Sequence, residues 1–333
     1  MPTDEVFLTG ASGFVGGHVL RALLDAGYRV RALARPGSRP LPPHERCTPV
    51  EGDLLRAGEL ARPMGGCRYL VHVAALYTFA PDRRGEIAAT NVRGCAGILE
   101  AARVAGVERA VVTSSSATVA PSDGTHPVTE DSWAVDAQPA SAYHYSKLQQ
   151  ERAALAAQVP TVVLLPTAPV GPGDWKPTPT GQIVVDFMRG RMVASLDGGL
   201  NVVAVEDVAR AHVQALQRGR PGERYLLGGD NLSLSGLWEL LAGICGRQAP
   251  SLRIPYAVAL ALGWADELRC RLAGGVTGRA VTPGIPLEGV RMARHHMYVV
   301  SDKARAELGY ETTSVVEALA RAVRWYRENG YAA

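Results

Sequence analysis

An apolar strand, Glu5-Val6-Phe7-Leu8-Thr9, runs straight into glycines at Gly10, Gly13 and Gly16, and no other stretch limits the fold of this chain as tightly. Glycine at position 10 permits a tight turn. At 13 it lets backbone approach a pyrophosphate, and at 16 it lets the following helix lie close on the strand. The first N–H groups of that helix then face the phosphates. Any tight strand-to-helix turn recruits glycine, so this cradle needs support from the rest of the chain.

The pattern downstream supplies it. Strand signals at 4–9, 28–34, 67–74, 108–114 and 160–165, with a short one near Val50, alternate with helix signals over 17–26 and 87–105. Both helices stop at glycine, Gly27 and Gly106. This is the alternation of an α/β chain with a doubly wound parallel sheet. After about residue 166 proline punctuation takes over, and helices are expected over 181–190, 206–218, 233–247, 255–273 and 314–329. The expected division is a dinucleotide-binding domain over 1–165 and a smaller, helix-rich substrate lobe over 166–333, with 201–218 returning to the first domain.

Charge and composition exclude several classes. A net charge of +3 and no dense Lys/Arg cluster interleaved with aromatics argue against nucleic acid. The five cysteines, Cys47, Cys67, Cys95, Cys245 and Cys270, are scattered and odd in number, with no paired spacing for a metal. They read as reduced packing residues of a cytoplasmic protein, and the first strand begins too close to Met1 for a leader. The longest apolar run, 254–265, is too short to span a bilayer and is expected to be a buried helix or the wall of an apolar site.

Two further motifs carry chemistry. Val111-Val112-Thr113-Ser114-Ser115-Ser116 is an apolar strand ending in hydroxyls, and Tyr143-His144-Tyr145-Ser146-Lys147 sets a phenol and an ammonium at i and i+4 on one helix face. A phenol, with an ordinary pKa of about 10, is a poor proton donor or acceptor at neutral pH. A nearby ammonium, together with an oxidised nicotinamide, is expected to draw it down by roughly 1–3 units per charge. Tyr143 is thus the expected general acid/base, helped by Lys147.

In this order, glycine cradle, hydroxyl strand and Tyr-x-x-x-Lys resemble the extended short-chain dehydrogenase/reductase superfamily over nearly the whole chain. The resemblance implies a Rossmann fold and a nicotinamide cofactor held by Thr9, Gly10, Ser12, Gly13, Phe14, Val15 and Gly16. It assigns Ser115 as the catalytic hydroxyl, with Ser114, Ser116 and Thr118 near enough to displace it, and gives Lys147 the nicotinamide ribose. It sets Asp53 and Leu54 at the adenine, Val73, Ala74 and Ala75 along the cofactor, Asn91 on the cofactor side, and Pro166 and Thr167 at the nicotinamide amide. For His72, core packing and cofactor contact both stay open. A homodimer through a four-helix seam of 87–105 and 143–158 is the assembly that relatives suggest.

The end of the second strand bears on the cofactor. Where relatives that use NAD place an acid, this chain has Ala34 followed by Arg35, a planar cation suited to a 2′-phosphate. NADP(H) is expected, with NAD(H) as the alternative. The segments 165–187, 219–229 and 289–294 are similar to bacterial hopanoid-associated sugar epimerases and to the dihydroflavonol-reductase and 3β-hydroxysteroid-dehydrogenase branch. The hydroxyl strand lacks the Asp-Glu pair of the sugar dehydratases. Arg35 and the apolar 254–265 segment tilt the choice to an oxidoreductase acting on a ketone or aldehyde of a mainly apolar small molecule, with isoprenoid derivatives among the candidates. A nucleotide-sugar epimerase is the alternative, and a cofactor-binding scaffold the distant one. Tyr77, Phe79 and Trp175 are the expected rim of the substrate pocket, with Ser115 and Tyr143 at its floor; no metal is expected.

Overall fold

The computed structural model describes residues 4–77, 83–134, 141–277, 284 and 287–332. Seven parallel strands form its main sheet, in the spatial order Arg224–Leu227, Thr161–Pro166, Arg109–Thr113, Tyr69–His72, Glu5–Thr9, Arg29–Ala34 and Cys47–Glu51. Six of these strands fall where the apolar runs predict them. The seventh, Arg224–Leu227, comes from beyond the expected domain boundary, so the sheet is not complete within 1–165. It was hidden because Arg224-Tyr225-Leu226-Leu227 is only four residues long and opens with a charge.

Strand side chains alternate between two cores, as a pleated sheet covered on both faces requires. Val6 and Leu8 face one, with Val19, Leu20 and Leu23 of the first helix, Phe14–Asp25, and with Val208 and Ala211. Phe7 faces the other, with Leu70, Ile98 and Val163. The first helix ends where Gly27 takes φ +93°, its amide and that of Tyr28 bonding back to the carbonyls of Leu24 and Leu23.

The helix predicted over 87–105 begins earlier and contains an irregular turn. Arg84–Ala88 and Gly94–Val104 are α-helical and join through a π turn over Ala89–Arg93, which carries Asn91 into the interior. Of the segment expected to return to the first lobe, the two parts differ. Gly199–Ala204 pairs with Ala168–Val170, Asp230–Ser233 and His296–Met297 in a second, four-stranded sheet. The following helix, Val205–Arg218, does pack on the first helix and shares its core. Strand 199–204 is drawn away because its partners lie in the second half of the chain. A third core gathers Val184, Phe187, Trp238, Leu319 and Tyr326 beneath this sheet.

Most of the run 254–265 lies in a helix, Tyr256–Thr277, that is not buried throughout: Ala259 and Gly263 face inward, whereas Val258, Leu262 and Trp264 are exposed.

Candidate active site

Ser141 begins the helix Ala142–Leu155, accepting a hydrogen bond from the His144 amide and pairing with His144 Nδ1 at 2.8 Å. The helical period then sets Tyr143, Lys147 and Glu151 on one buried face. Ser115, whose Oγ accepts from the Ala117 amide at 3.2 Å, lies near enough to the Tyr143 phenol to act on its titration, and the Tyr143 ring lies 4.3 Å from that of Tyr77. Lys147 Nζ donates to the Thr113 carbonyl at 2.9 Å. Its other protons have no acceptor among the described residues.

The electrostatics correct one expectation. Burial pushes Tyr143 up to about 12, against which the Ser115 hydrogen bond acts weakly, rather than down toward neutral pH. Lys147 does not offset this, because its ammonium is turned to the strand end, and burial itself lowers Lys147 to about 8. The protein alone therefore keeps Tyr143 a proton donor. Burial also raises Tyr77.

The neighbouring hydroxyls have other partners. Ser114 donates to Glu151 Oε2 at 2.5 Å, and Glu151 is ion-paired with Arg224 in the interior. Arg224 also donates to the Glu130 carbonyl and to Thr118, and lies 3.5 Å over the Trp133 ring. Thr118 in turn donates to the Ser115 carbonyl. This buried cluster fixes the hydroxyl strand against the tyrosine helix, and sequence reasoning missed it; Glu151, one turn beyond Lys147, was the only hint.

The glycine cradle fits a dinucleotide. A Cβ on Gly10, which holds φ +83°, would meet the Ala74 amide nitrogen at 2.6 Å, and one on Gly16 would meet the Gly10 carbonyl oxygen at 1.9 Å. Gly13 starts the first helix without a side-chain cap, and the first turn holds no acid. The helix's first i to i−4 bond is made by the Gly17 amide, so those of Phe14, Val15 and Gly16 stay open to an anion. Ser12 and Val15 are half-buried beside them, and the Phe14 ring crosses that of His18 edge-on at 5.8 Å. Ala75 and Arg35 are exposed, and Arg35 has no ion pair among the described residues.

Several residues assigned to the cofactor have their side chains engaged elsewhere. Thr9 is buried, pairs with His72 Nδ1 at 2.7 Å and accepts from the Ala74 amide, holding the segment Val73-Ala74 against the first strand. Leu54 is buried beneath Gly94, and Asp53 caps its own turn by accepting from the Leu55 amide. Asn91 grips Leu76 through both backbone groups and donates to Ser146, so its amide is fully used in positioning the loop that carries Tyr77. Thr167 donates to Asn201 and to the Leu227 carbonyl, next to Pro166 at the strand end. His72 is buried with Nε2 unpaired, and burial lowers it to about 3, so it is neutral.

The expected rim is only partly assembled. Tyr77 meets Tyr143, whereas Phe79 lies outside the described residues. Trp175 is packed with Trp325 and Arg39, and Tyr331 donates to its carbonyl. The cause is Asp174, whose buried carboxylate accepts from Thr178 and Tyr326 and ties the loop to the C-terminal helix. Next to Tyr143 stands His144, its ring edge-on at 6.0 Å; burial, and secondarily His295, lower it to about 4. No motif announced that pair.

Residues 6–228 match the NAD dependent epimerase/dehydratase family. A protein of Synechocystis sp., provisionally named dihydroflavonol 4-reductase, is 38% identical over 98% of this chain and 96% of its own length. A Stigmatella aurantiaca protein, named 4-hydroxy-2-methyl-3-oxo-4-farnesyl-3,4-dihydroquinoline-1-oxide ketoreductase, is 32% identical over 92% of this chain and 91% of its own. Among solved structures, that of gox2253 superposes with a TM-score of 0.86 at 34% identity, covering 99% of this chain and all of that one.

Proposed function

Because the chain belongs to the NAD-dependent epimerase/dehydratase family and is an oxidoreductase of the extended short-chain type, we propose that it reduces the carbonyl of a mainly apolar ketone or aldehyde, or oxidises the corresponding alcohol, and that it prefers NADP(H). The observation that carries this reading is the meeting of Ser115, at the end of the hydroxyl strand, with Tyr143 on a buried helix face that also holds Lys147 one turn further on. Ser115 holds the substrate oxygen, and Tyr143, kept protonated by burial, donates to it. Lys147, with protons to spare beyond its bond to Thr113, holds the ribose hydroxyls. A bound nicotinamide would supply or accept the hydride, and its oxidised form would add a positive charge favouring deprotonation of Tyr143 in the reverse direction.

The surroundings support an apolar substrate over a nucleotide sugar. Tyr77 lies against Tyr143, and the second-lobe arginines that could clamp a diphosphate are engaged elsewhere: Arg189 with the Tyr331 carbonyl, Arg191 with Asp186, Arg294 over the Tyr256 ring. The Stigmatella relative, named for a ketoreductase of a farnesylated quinoline, and a sterol demethylase protein B of Methylococcus capsulatus, 30% identical, agree with that class. Incubation with NADPH or NADH and a panel of polycyclic ketones, against a panel of nucleotide sugars, tests the reading. Ketone-dependent NADPH oxidation is the expected result; interconversion of nucleotide sugars without net cofactor consumption would overturn it.

A further inference from the structure

The helix Tyr256–Thr277 has an inverted surface. Its buried side is narrow, with Ala259, Gly263 and Cys270 inward, and Leu287 and Val290 of the short helix Leu287–Met292 close against Gly263. Its outer side carries Val258 (46% exposed), Leu262 (48%), Trp264 (50%), Leu268 (58%) and Leu272 (64%), separated by exposed alanines. Among the described side chains of this helix the one exposed charge is Arg269. Isolated exposed leucines need no explanation, but a contiguous apolar stripe of this kind marks an interaction surface.

The charge around the stripe identifies the partner. Among the described side chains of 251–297, four arginines stand against two acids, Asp266 and Glu267. Arg253 is exposed at the start of the helix, Arg269 lies on its outer side in a salt bridge with Asp266, and Arg291 and Arg294 lie over the Trp264 and Tyr256 rings. A second copy of the chain would bring like charge against like. An apolar stripe with a tryptophan and a border of arginines suits the headgroup boundary of an anionic bilayer. No described helix is long and apolar enough to cross a membrane, so any bilayer contact of this helix would be along its surface.

We infer that this helix docks the protein on anionic lipid.

Co-sedimentation of the whole protein with vesicles of phosphatidylcholine alone, or of phosphatidylcholine mixed with phosphatidylglycerol, tests this. Binding is expected only to the mixed vesicles, and it should weaken as salt is raised. The pair Leu262→Glu and Leu268→Glu, both on the outer side, should lower binding about tenfold or more while leaving the melting temperature and NADPH affinity in place. Arg253→Glu with Arg269→Glu should act in the same direction. Failure of the unmodified protein to bind mixed vesicles, equal binding to pure phosphatidylcholine, or undiminished binding by the Leu262/Leu268 variant would each overturn the inference. So would a dimer in solution that the same variant dissolves, since a second copy would then cover the stripe.

Discussion

At the scale of single residues the site separates groups that react from groups that hold them. Tyr143→Phe removes one oxygen and the proton it carries, and turnover is expected to fall by about 10²–10⁴-fold with dinucleotide affinity nearly unchanged. Lys147→Ala should lower both, because this buried ammonium is the group proposed to hold the ribose hydroxyls. Stopped-flow reduction and fluorescence titration with NADPH, each done on protein of unaltered circular dichroism, separate the two effects. Arg35→Asp replaces an exposed cation at the end of the second strand by an acid. The ratio of NADPH to NADH affinity should drop by about ten- to a hundredfold, the worth of one charge-assisted contact. Equal affinities in the unmodified protein would remove Arg35 from cofactor selection.

At the scale of elements, the strand-to-helix junction is held by contact distances that only glycine tolerates. Gly16→Ala sets a methyl group 1.9 Å from the Gly10 carbonyl oxygen. The first helix must then lift from its strand, and both the melting temperature and dinucleotide binding should fall together; retention of either at its original value would contradict this. Such junctions were legible in the sequence, since glycine spacing and apolar runs are properties of adjacent residues. What escaped depends on where a side chain turns. Asp53 and Asn91 match cofactor positions by sequence, yet one caps its own turn and the other holds Leu76 and Ser146. Trp175 follows an acid whose partner, Tyr326, lies about half the chain away, and no local pattern encodes that reach. The strand Arg224–Leu227, short and opening with a charge, likewise takes its place in the sheet from distant partners, strand 161–166 and Glu151.

Across the whole molecule, buried histidines set the response to acid. His212 donates from Nδ1 to the Val208 carbonyl and pairs through Nε2 with Thr113, and burial lowers it from 6.5 to about 4. Burial likewise lowers His144 to about 4 and His72 to about 3. Each binds its proton more readily when unfolded, so the stability due to keeping it neutral is complete above about pH 6.5 and is lost as pH falls through the range down to 4 and below. For His212 alone the loss is of order 3 kcal/mol. Chemical denaturation at a series of pH values from 7 to 4 should give a falling midpoint, and His212→Gln should flatten part of that slope. A midpoint independent of pH in this window would show that these rings are reached by water.

The seventh strand has a consequence for how the chain is made. A ribosome releases residues 1–165 first, and with them six strands of the main sheet and the carboxylate of Glu151. The guanidinium that neutralises this carboxylate, and the strand that covers the sheet's edge, follow only at Arg224–Leu227. Until then the nascent sheet presents an open edge and would have to bury an uncompensated charge. The early lobe should therefore remain loosely packed, and a handover point for chaperones, through the synthesis of some sixty further residues, closing only when the later half arrives.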